Sequence, residues 1–328
     1  MRPRFGKHAY NEPVASESGM NIEPLLGEFL GLFLFVISVG VVFASSIAVL
    51  RRIFTKGIKQ AKLSVLDILL LFAGFAGVLC IAYGFTEPYK LDTTHVLLRS
   101  SKLSAGSHLR IAHISDLHCD GTKRVDDKLI ENIINAKPDF VVFTGDAQNN
   151  KAGLEQFKKI IANLAVSVPV YACDGNHDTR GGAGALDRYT GTGAQMLNCA
   201  STTVNVRGNL VWLGGVAIDS EHCLEATLKE APEKAYSILL YHFPEGIKEA
   251  TDAHIDLFCT GHTHGGQVRL PFYGAVITMT SLGKKYEAGL YYNKGTAMYV
   301  NRGIGMTGIP VRFLCLPELT IIDVESNQ

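Results

Sequence analysis

Two uncharged runs near the amino terminus restrict what this chain can fold into more than any other feature. Phe29 to Leu50 reads FLGLFLFVISVGVVFASSIAVL, and Leu63 to Phe85 holds one charge, Asp67, near its start. At a helical rise of about 1.5 Å per residue, each run is long enough to cross a hydrocarbon core of roughly 30 Å. A cleaved signal peptide accounts less well for the first run, whose apolar stretch exceeds the usual length and is followed by a second. The composition, 47% hydrophobic and 19% charged over 328 residues, is too apolar for a chain that is soluble throughout, and these runs hold the excess. The reading is a tail (1–24), a transmembrane hairpin (25–85, spans 25–50 and 63–85), a polar linker with room for one short strand (86–108) and a globular domain (109–328).

Charge gives a divided vote on orientation. The connecting loop carries Arg51, Arg52, Lys56, Lys59 and Lys62, which alone would hold it in the cytoplasm. Arg2, Arg4 and Lys7 before the first span, with Lys90, Arg99 and Lys102 after the second, nearly cancel that bias. Cysteine usage supplies a separate vote. Cys119, Cys173, Cys199, Cys223, Cys259 and Cys315 lie in the soluble part, some beside the candidate site residues below, and a reducing compartment leaves such thiols alone. The domain is therefore expected to face the cytoplasm. With 31 basic and 31 acidic residues there is no excess of positive charge for a nucleic-acid backbone, and no nucleic-acid partner is expected. No obligate protein partner is evident either; the lipid bilayer is.

Strand-like runs then alternate with helical patterns. Leu109–Ser115, Asp139–Gly145, Val168–Cys173, Val211–Val216, Tyr236–His242 and Ile255–Gly261 read as strands; Val125–Ala136, Gly153–Val166, Gly182–Leu197 and Glu221–Ala231 suit helices. Ala288–Tyr292, Thr296–Asn301 and Glu318–Val324 are strands with no helix between them. This order predicts a layered α/β domain with mixed sheets and helices on both outer faces.

Polar residues gather where these strands end, the usual place for sites in open α/β sheets. Asp116 and His118 follow the first, Asp146 the second, Asn176, His177 and Asp178 the third, His242 the fifth, and His262 and His264 the sixth. Oxygen and nitrogen donors without regular cysteine spacing suit manganese, iron or zinc in five- or six-coordinate sites and disfavour a structural zinc. The donors are too many for one ion with an open position. Two divalent ions about 3.5–4 Å apart, sharing a carboxylate, form a pattern for in-line attack of water on phosphorus.

The order Asp-x-His, Gly-Asp, Gly-Asn-His-Asp, His, Gly-His-x-His resembles the calcineurin-like metallophosphoesterase superfamily from Leu109 to the C-terminus. The resemblance implies a four-layer sandwich, two mixed sheets flanked by helices, binding two divalent ions, with manganese first in order and iron or zinc as alternatives. It implies that Asp116, His118 and His264 hold one ion, that Asn176, His242 and His262 hold the other, and that Asp146 bridges. His177 would protonate the leaving oxygen, with Asp178 orienting its ring. Arg180, Gln267, Arg269 and Arg302 are candidate substrate contacts, and the glycine-rich run Arg180–Leu197, which lacks P-loop spacing, is a candidate cap. The chain departs from many relatives in reading GDAQNN where a further acid is common.

The membrane segment together with GHTHGGQVRLP resembles the membrane-associated branch of the superfamily, in bacterial envelopes. That implies an inner-membrane hydrolase of a phosphoester with a lipid part, first among them the pyrophosphate of UDP-2,3-diacylglucosamine, a nucleotide-sugar lipid. A phospholipid or cell-wall phosphodiesterase facing outward is the alternative within enzymes, and a scaffold without catalysis the alternative outside them.

Overall fold

The computed structural model of the chain describes residues 23–179, 187–218 and 222–327. Helices α1 (Glu23–Lys56) and α2 (Val65–Gly84) come first, and both are long and apolar enough to cross a membrane. Side chains such as Phe33, Val41, Leu69 and Phe72 lie exposed along them, which a core helix would not allow. Small residues close the hairpin. Gly74 and Gly77 leave room for Ser46 and Phe43, and the Ser46 hydroxyl donates to the Leu70 carbonyl at 2.6 Å, as helices pack in lipid. Ser64 and Asp67 form a capping box at the start of α2. Arg52 pairs with Asp67 across the turn.

The rest of the chain builds β1 (Asp92–Ser100), β2 (His108–Ile114), α3 (Asp126–Ala136), β3 (Phe140–Thr144), α4 (Lys151–Ala165), β4 (Val170–Cys173), α5 (Asn176–Thr179), β5 (Gln195–Met196), β6 (Ala200–Val206), β7 (Asn209–Val216), α6 (His222–Leu228), β8 (Tyr236–Tyr241), α7 (Ile247–Asp252), β9 (Leu257–Thr260), β10 (Arg269–Leu270), β11 (Gly274–Ala275), β12 (Gly289–Asn293), β13 (Thr296–Val300) and β14 (Glu318–Ser326). One six-stranded sheet runs β1-β14-β2-β3-β4-β5 and the other β12-β13-β9-β8-β7-β6. Both are mixed: β2, β3 and β4 are parallel, whereas β14 is antiparallel to β2.

Alternation along the strands makes the layers. In β3, Val141 and Phe143 pack on Leu129 and Ile133 of α3 and Phe157 and Ile161 of α4. Phe140 and Val142 point the other way, into a core shared with Leu213, Ile238 and Leu240 of the second sheet. That sheet's outer face, with Trp212, Leu239 and Phe258, is covered by Leu224 and Leu228 of α6 and Ile247 of α7. Helix, sheet, sheet, helix is the expected four-layer order.

The linker segment contributes β1, a nine-residue edge strand parallel to β14, where one short strand was expected. Two details differ from the sequence reading. The described part of Gly182–Leu197 holds no helix: Gly191 and Gly193 both take φ of 80°, and the chain goes on into β5. Not all soluble thiols are free, because Cys199 and Cys223 are joined in a disulfide, while Cys119, Cys173, Cys259 and Cys315 are buried and free.

Candidate metal centre

The carboxyl ends of β2, β3, β4, β8 and β9 converge at one edge of the two sheets, and the turns that leave them carry the polar residues. Asp116, His118, Asp146, His262 and His264 all have left-handed backbone, with φ of 50°, 39°, 61°, 69° and 52°. For a residue with a Cβ this costs about 1–2 kcal/mol, and it persists where surrounding contacts over-determine it, typically at functional sites. Those contacts are backbone hydrogen bonds between the turns: the Asp116 amide donates to the Gly145 carbonyl at 2.9 Å and the His118 amide to the Asp146 carbonyl at 2.9 Å. Gly261 and Gly175 permit the approach. A Cβ on Gly261 would overlap Ser115 and the Asp116 carboxylate, and one on Gly175 the Asp146 carboxylate.

Two groups of donors result. Asp116 Oδ1 lies 3.2 Å from His264 Nε2 and 3.9 Å from His118 Nε2, and the two ring nitrogens are 3.1 Å apart. On the other side His262 Nδ1 is 3.1 Å from Asn176 Oδ1, and His242 Nε2 is 3.3 Å from Asp146 Oδ2. Asp146 stands between the groups, its Oδ2 also 3.2 Å from His118 Nε2.

The donor set fits cations. His242 Nδ1 donates to the Thr144 carbonyl at 2.7 Å and His262 Nε2 to the Met279 carbonyl at 3.0 Å. His118 Nδ1 faces Asn149 Oδ1 at 2.7 Å. Each of these rings is hydrogen-bonded at its far nitrogen, which turns the other nitrogen towards the centre, as metal-binding imidazoles are held. Asp116 Oδ1 and His242 Nε2 are buried without a hydrogen-bond partner. Lone pairs packed this closely are costly in a dry interior unless a cation draws them together.

The electrostatics agree. Burial opposes charge on Asp116, yet the His264 and His242 imidazoles hold its carboxyl well below the usual range; Asp146 is held down in the same way by His242 and His118. Burial pulls His242 down, but Asp146 and Asp116 outweigh it and raise its pKa to about 10. Burial, reinforced by His242, lowers His262 to about 3.

His177 is exposed at the mouth of the site. Its amide donates to Asp146 Oδ1 at 2.8 Å, its ring centroid is 4.8 Å from that of His118, and burial of its inner edge lowers its pKa below the ordinary value. Asp178 does something other than steer that ring. It accepts from the amides of Asp146, Ala147 and Gly175 at 2.7, 3.0 and 2.9 Å and lies 3.5 Å from Arg188 Nε, so it fixes the turn that presents Asp146.

Of the candidate substrate contacts, Gln267 lies at the cavity described below, bonded to the Thr307 and Ile309 carbonyls and the Thr307 amide. Arg269 is held by the Gly265 carbonyl and Glu287. Arg302 is held by Asp92 and Glu318. Both cations pin backbone segments together and do not line that cavity. Arg180 lies outside the described residues. Sequence reasoning missed Asn149, whose signal was the departure GDAQNN, and Arg312, fully buried and donating to the Gly303 and Gly305 carbonyls.

A cavity of about 690 Å³ opens from this centre towards the hairpin. Asp146, Asn176, His177, His262 and His264 line one end. Leu32 and Phe35 of α1, with Ile81 and Phe85 of α2, line the other.

A family model for calcineurin-like phosphoesterases matches residues 109–266. The uncharacterized metallophosphoesterase YkuE of Bacillus subtilis is 34% identical over 75% of this chain and 91% of its own length. The phosphodiesterase YaeI of Escherichia coli is 27% identical over 66% of this chain and 82% of its own. The UDP-2,3-diacylglucosamine pyrophosphatase LpxG of Chlamydia trachomatis is 26% identical over 72% of this chain and 90% of its own. With this donor set at the strand ends and YkuE 34% identical along most of both chains, the chain belongs to the calcineurin-like phosphoesterase family.

Proposed function

We propose that the chain is a membrane-tethered hydrolase using two divalent ions, manganese first among the candidates and iron or zinc after it, on a phosphoester that carries a hydrocarbon chain. The observation that carries the substrate class is the shared cavity: one end is the polar donor set and the other is apolar side chains of the two membrane-type helices. A soluble phosphoester has no use for Leu32, Phe35 and Ile81 beside the reaction centre. A lipid-linked one does, since each methylene covered contributes about 0.8 kcal/mol.

Asp116, His118 and His264 would hold the first ion; Asn176, His242 and His262 the second; Asp146 both. Such ions supply Lewis acidity and lower the pKa of water. His177, exposed on the cavity wall, would give a proton to the departing oxygen. Asp178 and Asn149 keep the ligand-bearing turns in position, and Gln267 braces the loop at the mouth.

UDP-2,3-diacylglucosamine is the substrate to test first. Water would displace at the pyrophosphate, releasing UMP and 2,3-diacylglucosamine 1-phosphate. Similarity to the relative named for that reaction supports this; its nucleotide head would require the domain to lie at the cytoplasmic face of a bacterial inner membrane. A second reading, an envelope phosphodiesterase facing outward, draws on the Cys199–Cys223 disulfide and on the basic loop between the helices, both of which favour an exported domain.

The test is the detergent-solubilised full chain with Mn²⁺ and UDP-2,3-diacylglucosamine. UMP release supports the first reading. Turnover of a phospholipid or a small diester without UMP, with the C-terminus reported outside by a topology assay, replaces it with the second. No turnover of any phosphodiester, with no metal bound, leaves a scaffold.

A further inference from the structure

Glu28 is an acid in the first turns of a helix otherwise suited to lipid, and it is only 7% exposed. Its carboxylate faces the globular domain. Oε2 accepts from the Thr278 amide at 2.8 Å and Oε1 from the Thr278 hydroxyl at 2.7 Å. The next residue, Met279, has left-handed backbone, φ 59°, and its carbonyl receives the His262 Nε2 proton at 3.0 Å. The far end of this loop is tied separately, by the Ser281 amide and hydroxyl to Glu245 at 2.8 and 3.0 Å. Thus Glu28 anchors the half of the loop that touches His262, and a conformation that Met279 would not choose unaided is held from the helix.

We propose that Glu28 is a positioning residue for His262, acting through Thr278 and the Met279 carbonyl, so that docking of the first helix on the domain completes the second ion site. The inference rests on His262 being a ligand, as proposed above, and not on the identity of the substrate. It makes the hairpin part of the centre as well as its tether. Partners that orient a ligating imidazole typically change metal affinity by about 10–100-fold.

The experiment is calorimetric titration of the full chain in detergent with Mn²⁺, alongside hydrolysis of bis(p-nitrophenyl) phosphate, a small soluble diester that needs no apolar subsite. In Glu28→Ala one of the two ions should lose affinity about tenfold or more while the other keeps it. kcat should fall and recover at high Mn²⁺, with KM for the diester unchanged. Glu28→Gln, which retains one acceptor oxygen, should lie between. Should Glu28→Ala fail to fold, Glu28→Gln and Thr278→Val carry the comparison, with the smaller loss in the same ion. Wild-type affinity for both ions, or equal weakening of both, overturns the proposal. Fewer than two ions in the wild type overturns the two-ion reading and this one together. Failure of the lipid substrate with two ions bound overturns only the substrate assignment.

Discussion

His118 Nε2 and His264 Nε2 lie 3.1 Å apart in the buried centre, although the His118 proton is drawn to the other side of its ring by Asn149. Two such nitrogens beside Asp116 are relieved by a shared cation. His264→Ala should therefore reduce bound metal from two ions to one per chain and lower activity by more than the about 10–100-fold that follows loss of an outer partner. Metal analysis of the purified variant checks it. In the wild type, chelation should lower Tm, since an ion present at a hundred times its Kd stabilises the folded state by about 2.7 kcal/mol. A Tm unmoved by chelation would contradict this.

His177 reaches the centre from its exposed side and makes its one bond to Asp146 through the backbone amide. His177→Gln should leave both ions in place and lower kcat by about 10²–10⁴-fold, the usual contribution of general acid catalysis. The loss should be larger for an alkyl leaving group, which must be protonated, than for p-nitrophenolate, which need not be. Equal losses on the two, or loss of metal, would remove His177 from the proton-transfer role.

Asn149 lies in the stretch GDAQNN that opens on the Gly-Asp pair, and the structure gives it a task there. Its Oδ1 takes the His118 proton at 2.7 Å, and its Nδ2 donates to the His118 and Met306 carbonyls at 3.2 and 2.9 Å. Asn149→Ala should weaken metal binding about 10–100-fold without changing the number of sites. A metal titration reads this directly.

The layers of the fold and the ligand-bearing strand ends were legible because each depends on local chemistry. Val141 and Phe143 alternate with Phe140 and Val142, and a strand buried on both faces has to read that way. Asp116, Asp146 and His242 follow such strands directly. What escaped the sequence depends on contacts between distant segments. Asp178 sits next to His177, yet its carboxylate meets the amides of a different turn, 31 and 32 residues away. Arg302 was a candidate substrate contact in a stretch that also read as a structural turn, and it is held by Glu318 and by Asp92 in β1. The left-handed backbone at the ligands leaves no signature, because Asp and His, unlike glycine, do not announce it.

Asp178 yields a pH prediction. Burial raises its carboxyl to about 6, Asp146 and Asp174 add to the effect, and Arg188 opposes it. A folded pKa above the unfolded 3.8 means that the native state binds the proton more tightly. The stabilising contribution is therefore complete below about pH 4 and is lost as pH rises through about 6. In chelator, the stability of the wild type relative to Asp178→Asn should fall as pH rises over this window. Urea midpoints at pH 4, 5 and 6 give the comparison, and a difference that stays flat or grows with pH would contradict the assignment.

Phe35 and Ile81 reach the cavity from different helices, so they test whether hydrocarbon binds there. Burying a side chain of this size against an acyl chain contributes about 1.5–3 kcal/mol, and each 1.4 kcal/mol is about tenfold in affinity. Phe35→Ala and Ile81→Ala should each raise KM for a diacylated substrate about tenfold or more. Both belong to the apolar end of the cavity, so kcat/KM for bis(p-nitrophenyl) phosphate should stay within about twofold of wild type on the same reasoning. A short-chain analogue of the lipid should lose this sensitivity, because its hydrocarbon ends before the helices. If both alanine variants lowered turnover of the soluble diester as much as of the lipid, the two helices would be acting on the centre and not on the substrate.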